Sequence, residues 1–374
     1  MRLYNGAMKR HDVCVRGAGI VGRSLALSLA RLGLQVALVA EPAAPTRVDV
    51  RAYALNAASV ALLRTLKVWD ALPPHAATAV HDMHVEGDAS GVLEFSAWQQ
   101  QVSELAWITD AALLEQALDA AVRYAPHVSV VPAPVDADLV AICEGRRSAG
   151  REDLHVVFER HDYGHRAIAA RLSTTVAHRN VARQWFRSPD VLALLPFDQP
   201  MPDHGFALVW SLPEERAQEL LALDAPAFEA ALNDATHGAA GALALAGERA
   251  SWPLMQARAQ AWSGVGWVLL GDAAHVVHPL AGQGLNLGLA DVIALTRVIS
   301  EREPWRNVGD ARLLRRYERA RDLPTRAMGQ LTDGLLHLFA GSQGPLRELR
   351  NRGMGLVNQL PPLKRWLTAR ALDF

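Results

Sequence analysis

One stretch near the start of the chain decides its fold: HDVCVRGAGIVGRSLALSLARLGLQVALVAE, residues 11–41. The apolar run at residues 11–15 predicts a buried strand. A glycine-rich turn, a helix-forming segment and a second apolar run at residues 35–39 follow it, and the stretch ends at an acid. The order of strand, glycine-rich turn, helix, strand and acid predicts a Rossmann-like βαβ unit in an α/β fold.

The glycines of this turn, Gly17, Gly19 and Gly22, have the GxGxxG spacing. The first permits a tight turn, the second lets the backbone approach a pyrophosphate, and the third lets the helix pack close to the strand. The helix N-terminus offers unpaired N–H groups to the phosphates. Glu41 follows about 20 residues later, where a carboxylate can bind ribose hydroxyls. Because no arginine stands beside it, we expect a ribose without a 2′-phosphate, as in FAD or NAD.

Composition limits the classes of protein to which the chain can belong. Its 374 residues are 50% apolar and carry a net charge of −1, which argues against a nucleic-acid-binding surface. Its two cysteines, Cys14 and Cys143, exclude a disulfide framework and a cysteine-based zinc site. No uncharged apolar stretch reaches about 18 residues, so no transmembrane helix is expected. We predict a cytoplasmic protein; the basic tail at residues 345–374 leaves peripheral contact with the inner membrane as an alternative to a solvated helix.

The rest of the chain alternates between strand-like and helical patterns. Further strands are predicted within residues 80–105, 128–131, 139–143, 154–212 and 267–270. Helices are predicted at residues 59–69, 110–124 and 213–232, and from 285 onwards. The Ala/Gly-rich stretch at 238–247 predicts a loop or a weak helix. Because nucleotide-type segments stand at both ends of the chain, we expect a discontinuous cofactor domain.

The most informative later stretch is GDAAHVVHPLAGQGLNLGLAD, residues 271–291. Asp272 stands at a strand end, where a carboxylate can hold a polyol. The glycines that follow let backbone N–H groups approach the edge of a flat ring, and the helix N-terminus stabilises negative charge there. Reduced flavin carries such a charge. His275 and His278 lie three residues apart, but no third ligand is evident nearby, so no metal site is predicted.

At these residues the chain resembles a known family, the class A FAD-dependent aromatic hydroxylases with the p-hydroxybenzoate hydroxylase fold. Within that family it resembles the ubiquinone-biosynthesis, or UbiH-like, hydroxylases. The likeness is carried by HPLAGQGLNLGLAD at 278–291, by DVRAYAL at 49–55 and by LRRYERAR at 314–321, and it spans most of the chain.

The resemblance implies FAD as the cofactor and a division into domains. The Rossmann-like FAD-binding domain would comprise residues 1–80, 105–150 and 255–310. Residues 81–104 and 151–254 would form a β-sheet substrate domain, and residues 311–374 a C-terminal helical segment. The overall class is α/β, with an α+β character.

The resemblance also implies which residues bind FAD. Gly17, Gly19, Gly22 and Glu41 would hold its ADP half. Arg51 would contact the cofactor, and Asp272 would bind the ribityl chain. The residues that would line the isoalloxazine ring are Gly282, Gln283, Gly284, Leu285 and Asn286.

The implied reaction is hydroxylation of an electron-rich aromatic ring. NAD(P)H would serve as transient reductant, and molecular oxygen would form a flavin C4a-hydroperoxide. The implied substrate is a lipid-soluble polyprenyl-phenol precursor of ubiquinone. Because the cofactor carries the chemistry, no catalytic side chain is predicted.

Two alternatives stay open: a hydroxylase of a small soluble aromatic, or a catalytically weak family member acting as a partner in a biosynthetic complex. The second is motivated by three departures from the family pattern. Glu144 stands where Asp is usual, Ala111 replaces a polar cofactor contact, and residues 124–139 are shortened.

Overall fold

A computed structural model describes residues 11–40, 49–87, 91–277 and 283–340, with backbone alone for residue 328 and residues 330–340. Glu41, Gly282, His278 and the basic tail at 345–374 therefore lie outside the described residues. No helix within the described ranges is both long enough and apolar enough to cross a membrane.

Strands make up much of the described chain and are numbered here in chain order. They are β1 His11–Arg16, β2 Val36–Val39, β3 Ala52–Leu55, β4 Ala77–Val80, β5 Asp82–Glu86, β6 Val92–Ser96, β7 Ala106–Asp110, β8 Val128–Val131, β9 Ala137–Ile142, β10 Phe158–Thr174, β11 Val181–Arg187, β12 Asp190–Pro196, β13 Gly205–Pro213, β14 Leu243–Leu245, β15 Ala250–Ala259, β16 Ser263–Gly264, β17 Trp267–Leu269 and β18 His275–Val276.

The helices cover the faces and ends of the sheets. They are α1 Ile20–Ala30, α2 Ala57–Thr65, α3 Ala97–Gln100, α4 Ala111–Arg123, α5 Ala149–Asp153, α6 Glu214–Ala222, α7 Ala225–Thr236, α8 Gly284–Ser300 and α9 Ala311–Ala340. Short 3₁₀ turns occur at Trp69–Ala71, Pro74–Ala76 and Gly271–Ala273.

The first sheet has the order β16-β17-β9-β1-β2-β8 and is parallel except for the β16–β17 hairpin. Its strands β1 and β2 flank α1, which confirms the predicted βαβ unit. Apolar side chains of α1, α2, α4 and α8 pack on this sheet around buried Val13, Val15 and Leu38. Because both faces of a parallel sheet are covered, its central strands carry consecutive apolar residues, such as those from Val13 to Val15 in β1.

The second sheet contains nine strands in the order β18-β15-β10-β13-β12-β11-β5-β6, with β14 paired to β10. It is antiparallel except where β11 meets β5. One face packs against α6 and α7, where Trp210 and Phe228 are buried. The small third sheet, β3-β7-β4, packs near the opposite face through Ile108 and Phe197. The predicted mixed fold of a Rossmann-like unit and a large β-sheet is thereby confirmed.

Two predicted elements were wrong. The helix predicted at 213–232 is two helices: Pro213 belongs to β13, and Asp224 caps α7 by accepting a hydrogen bond from the Ala227 N–H at 3.0 Å. The stretch predicted as a loop or weak helix at 238–247 contains β14, which pairs with residues 172–174 of β10. This pairing depends on a strand some 70 residues earlier in the chain, so local propensity could not reveal it.

The closest approach in the βαβ unit occurs at its glycines. Gly17 has φ +103°, and a Cβ atom there would lie 2.5 Å from the Cys143 carbonyl oxygen. A Cβ atom on Gly22 would lie 1.8 Å from the Gly17 carbonyl oxygen. Both contacts are with backbone, which cannot rotate away. The spacing of strand and helix therefore requires glycine at both positions.

We predict that Gly22→Ala destabilises the fold by about 1–3 kcal/mol or more, because α1 must move away from β1. Gly19→Ala is the matched control: a Cβ atom there would meet open space, so only the weaker N-cap of alanine should lower its stability, by no more than about 1 kcal/mol. Urea unfolding of the two apoproteins measures this difference. Equal midpoints for Gly22→Ala and wild type would contradict the packing argument.

Candidate functional site

A cavity of about 620 Å³ lies between the first and second sheets. One end is formed by residues that follow the carboxyl ends of β1, β9 and β17: Gly19, Gly145 and Leu270 are examples. The other end is formed by the face of β10, β13, β12 and β11. Ligands of parallel α/β sheets bind beyond the carboxyl ends of the strands, so the cavity stands where the topology predicts a ligand.

The N-terminus of α1 opens into this cavity. Gly19 caps the helix, no side chain bonds to its first turn, and Gly19, Ile20 and Val21 all line the cavity. The first N–H groups of a helix have no partner within it, and the helix dipole adds positive charge at this end. This end of the cavity is therefore suited to an anion such as a diphosphate.

Arg51 supplies a cation at the same end. It lies just before β3, lines the cavity, and donates from Nε to Asp49 Oδ1 at 2.8 Å and from Nη2 to Asp49 Oδ2 at 2.6 Å. This hydrogen-bonded pair raises the pKa of Arg51. Burial alone raises the pKa of Asp49, but the bonds to Arg51 outweigh it, and the net pKa is lowered. Asp49 thus holds Arg51 charged and oriented.

Asp272 also lines the cavity, on the 3₁₀ turn that follows β17. The preceding Gly271 has φ +59°, which lets the chain turn sharply at the strand end. The Asp272 carboxylate lies 3.4 Å from Arg146 Nε, and 39% of its side chain is exposed. It is therefore available to accept hydrogen bonds from ligand hydroxyls.

Known proteins resemble the chain along almost its whole length. The FAD binding domain family matches residues 10–131 and 115–332. Ubiquinone hydroxylase UbiL of Rhodospirillum rubrum is 30% identical over 392 aligned positions, covering 98% of this chain and 90% of that protein. The 3-demethoxyubiquinol 3-hydroxylase of Escherichia coli is 29% identical, covering 96% of this chain and 98% of that protein.

The chain belongs to the UbiH-like FAD-dependent aromatic monooxygenases. The predicted family and FAD as cofactor are confirmed. Two solved structures share the fold of this monooxygenase. The probable FAD-dependent monooxygenase pqsL of Pseudomonas aeruginosa has a TM-score of 0.74 at 18% identity, covering 92% of this chain and 99% of its own. The p-nitrophenol 4-monooxygenase PnpA of Pseudomonas putida has a TM-score of 0.77 at 15% identity, covering 97% and 98%.

The cavity of this monooxygenase fits FAD in the chemistry of its groups. The open space at Gly19 lets a diphosphate approach the α1 backbone, which a side chain there would obstruct. Arg51 supplies positive charge for phosphate oxygens, and Asp272 supplies acceptors for a polyol chain. Gly284 and Leu285, at the start of α8, complete this end of the cavity. Groups suited to an anion, to a polyol and to a flat ring thus line one continuous cavity.

Asn286 differs from its predicted neighbours because its side chain is buried. Its Oδ1 accepts hydrogen bonds from the Asn56 N–H at 3.1 Å and the Ser59 hydroxyl at 2.8 Å. Its Nδ2 donates to the Ala54 carbonyl at 2.8 Å and to Gln283 Oε1 at 3.1 Å. The side chain therefore fastens the start of α8 to the turn between β3 and α2, the turn that follows the Arg51 segment.

A buried ionic network stands behind Asp272, and sequence reasoning assigned it no role. Asp291 Oδ2 accepts from the Gly271 N–H at 2.9 Å and lies 2.7 Å from His275 Nε2, while its Oδ1 accepts from Arg321 Nε at 2.7 Å. Asp291 ends the 278–291 motif and Arg321 ends the 314–321 motif, so the only sequence signal was their place in the resemblance. The network fixes the turn that presents Asp272.

The three departures from the family pattern have distinct structural outcomes. Glu144 is bonded to Arg16, with 2.7 Å between Arg16 Nε and Glu144 Oε1, and does not line the cavity. Ala111 is the buried first residue of α4, whose cap is Asp110. In the shortened segment, β8 pairs with β2 and a short loop leads to β9.

Other chemistry-bearing side chains of the described residues have local partners. Cys14 and Cys143 are buried free thiols, as expected for core positions, and burial raises the pKa of both. His178, Asp198 and Asp203 converge. His178 Nε2 lies 3.3 Å from Asp198 Oδ1, and its Nδ1 accepts the Asn180 N–H at 3.0 Å. Both ring nitrogens are therefore engaged within the protein.

We predict that Asp291→Asn destabilises the monooxygenase by about 3–5 kcal/mol, because Arg321 loses its buried counter-charge. The exposed pair Arg297–Glu301 gives the control, and Glu301→Gln should leave the unfolding midpoint unchanged. Urea unfolding at pH 7 measures both. A midpoint for Asp291→Asn equal to that of wild type would contradict the network's role.

The same network predicts a pH dependence. Burial raises the pKa of Asp291, but His275 and Arg321 outweigh it, and the net pKa lies below the usual value. Its contribution to stability is therefore present above the unfolded pKa of about 3.9 and is lost as the pH falls through the folded pKa. The urea midpoint of the wild-type protein should decrease as the pH is lowered below about 4. The same decrease should be smaller in Asp291→Asn, which has no carboxylate to protonate at this position.

Proposed function

We propose that this monooxygenase hydroxylates the ring of a polyprenyl-phenol on the way to ubiquinone, with molecular oxygen as co-substrate and NAD(P)H as reductant. The observation that carries the proposal is one cavity that is lined both by an apolar face of the second sheet and by five of the predicted FAD residues, which are Gly19, Arg51, Asp272, Gly284 and Leu285. Relatives named as ubiquinone hydroxylases support the substrate class.

The apolar face has room for a ring because its floor is built from small side chains. Ala169 of β10, Ala207 of β13, Ala193 of β12 and Ala182 of β11 all line the cavity. Successive residues of a strand point to opposite faces of the sheet, so Ile168, Leu194 and Leu212 pack on the other face, against α6 and α7. The four alanines leave room for a ring, which we call the slot, over this face of the sheet.

The walls of the slot suit a lipid-like substrate. Val80, Met83 and Ile108 line it from the third sheet and β5, and Leu195 and Met255 line it from the second sheet. Burial of a prenyl chain against such side chains contributes roughly 25 cal/mol per Å² of apolar surface. Gln184 and Ser211 bring polar groups to this face, and the buried Ser211 hydroxyl has no protein partner. We propose that Ser211 hydrogen-bonds to the ring hydroxyl.

When bound, FAD supplies the redox chemistry, accepting electrons from NAD(P)H and activating oxygen for transfer to the ring. The protein's part is to bind, orient and exclude water. We propose that Arg51 and the α1 turn hold the phosphates, that Asp272 holds the ribityl chain, and that Asn286 and Asp291 keep these groups in position. The residues proposed to contact FAD are Gly17, Gly19, Gly22, Glu41, Arg51, Asp272, Gly282, Gln283, Gly284 and Leu285.

We propose the same domain boundaries that the sequence predicts, and we add that one strand, β15, crosses the boundary between two domains. The strands of the first and third sheets come from residues 1–80, 105–150 and 255–310. β15, at Ala250–Ala259, crosses the predicted boundary at 254/255 and carries the chain from the second sheet back toward the cofactor end. Pro253, Leu254 and Met255 of this strand line the cavity, so the crossing strand forms part of its wall.

We predict that the purified enzyme has a flavin absorption spectrum and couples NAD(P)H oxidation to hydroxylation of a prenylated phenol. Oxygen consumption and mass spectrometry of the product measure the coupling, with the same phenol lacking its prenyl chain as the comparison. Equal or better coupling with the unprenylated phenol would favour a small soluble aromatic. A colourless protein that does not take up FAD would favour the partner role in a complex.

We predict that Ala193→Leu lowers kcat/KM for the prenylated phenol by roughly 10- to 100-fold, because the larger side chain displaces the ring from the slot. The dissociation constant for FAD should stay unchanged, since Ala193 belongs to β12 of the second sheet and not to the α1 turn, the Arg51 segment or the Asp272 turn. Ala230→Leu, on the exposed surface of α7, is the control. Unchanged turnover by Ala193→Leu would show that the substrate does not bind over this floor.

A further inference from the structure

The strand end after β9 carries an unusual arrangement of charge. The Glu144 carboxylate has three partners: Arg16 Nε at 2.7 Å, the Ser148 hydroxyl at 2.8 Å and the Gly150 N–H at 2.8 Å. These bonds direct it toward the start of α5, and it does not line the cavity. Gly145 and Arg146, the next two residues, line the cavity in its place. The strand end thus presents a cation to the cavity.

Arg146 is positioned by the backbone rather than by its own side-chain contacts. Buried Arg151 donates from Nη2 to the Arg146 carbonyl at 3.0 Å and from Nη1 to the Ala273 carbonyl at 3.0 Å. One guanidinium therefore fastens the turn that carries Arg146 to the turn that carries Asp272. Arg151 is 1% exposed and lies over the Phe158 ring at 3.7 Å, so it is itself firmly held.

The Arg146 side chain keeps most of its donors for a ligand. Among the described residues its one ion pair joins Nε to Asp272 Oδ2 at 3.4 Å, with both side chains about 40% exposed. A pair of this length and exposure contributes little to stability and is readily exchanged for another anion. Guanidinium groups present several N–H donors in a plane, which suits phosphate oxygens.

We propose that Arg146 contacts the diphosphate of a bound dinucleotide. This inference rests on the proposed cofactor site, because it adds a third positive group to the α1 N-terminus and Arg51 at the same end of the cavity. Arg146 after β9 and Arg51 before β3 then share the cavity with the α1 N-terminus, and Asp272 is released from Arg146 to accept hydroxyl hydrogen bonds. The proposed ligand is the diphosphate of FAD. NAD(P)H carries the same group, so the experiment must distinguish the two dinucleotides.

The test compares Arg146→Gln with Arg147→Gln, which removes the same charge one residue away. Arg147 is exposed and does not line the cavity. Fluorescence titration of the apoproteins gives the dissociation constant for FAD, and competition gives that for ADP, which shares only the diphosphate half. We expect Arg146→Gln to weaken both by the same factor, roughly 10- to 100-fold. Arg147→Gln should match wild type, and Arg146→Lys should lie between.

The outcomes separate the two dinucleotides and the two proposals. Unchanged FAD and ADP binding, with weaker NADH or NADPH binding in anaerobic flavin reduction, would support a contact with the reductant's diphosphate. Weakened FAD binding with unchanged ADP binding would overturn the proposal, because the contact would then be with the flavin half. Equal effects of Arg146→Gln and Arg147→Gln would also overturn it. None of these titrations uses the aromatic substrate, so a failed hydroxylation proposal leaves them interpretable.

Discussion

The cofactor end of this monooxygenase depends on one buried carboxylate. Asp291 is fully buried on α8, and a carboxylate in that position is tolerated only when it is compensated. Its compensation comes from the Gly271 backbone, from His275 and from Arg321 on α9. A single charge therefore joins the end of β17, the short strand β18 and both long helices. Asp291 therefore fixes both the turn that carries Asp272 and helix α8, whose N-terminal residues line the cavity.

The first, mostly parallel sheet and the second, mostly antiparallel sheet both line that cavity, and each supplies different chemical groups. The parallel sheet ends in turns that expose backbone N–H groups and charged side chains, which suit a dinucleotide. The antiparallel sheet packs one face on helices α6 and α7, and its other face lines the cavity with largely apolar side chains. Arg171 crosses between them, donating from Nη2 to the Arg51 carbonyl at 2.6 Å and to Asp110 Oδ2 at 3.2 Å. Arg171 of β10, a strand of the second sheet, thus fixes the backbone of the segment that carries Arg51.

The sequence predicted the βαβ unit and the family because both are encoded in short, contiguous motifs. The spacing of Gly17, Gly19 and Gly22 predicts a tight turn and close helix–strand packing, and the structure shows both at Gly17 and Gly22. The inward turn of Asn286 could not be predicted, since its partners Asn56 and Ser59 lie some 230 residues earlier. The role of Asp291 could not be predicted for the same reason, because its partners Gly271, His275 and Arg321 lie in two separate motifs. Spacing predicts local geometry, whereas long-range hydrogen bonds are set by the tertiary fold.

Arg16 and Glu144, two unusual residues at strand ends, form an ion pair with each other in the folded protein. A charge at the end of a core strand and a glutamate in place of an aspartate are unrelated in the sequence, 128 residues apart. In the parallel register of β1 and β9, Arg16 pairs with Ile142, so the glutamate two residues later comes within reach of the guanidinium. The extra methylene of Glu144 lets its carboxylate bridge Arg16 and the first turn of α5. Arg16 therefore neutralises Glu144 outside the cavity, and the guanidinium of Arg146 becomes the charge that this strand end offers to a ligand.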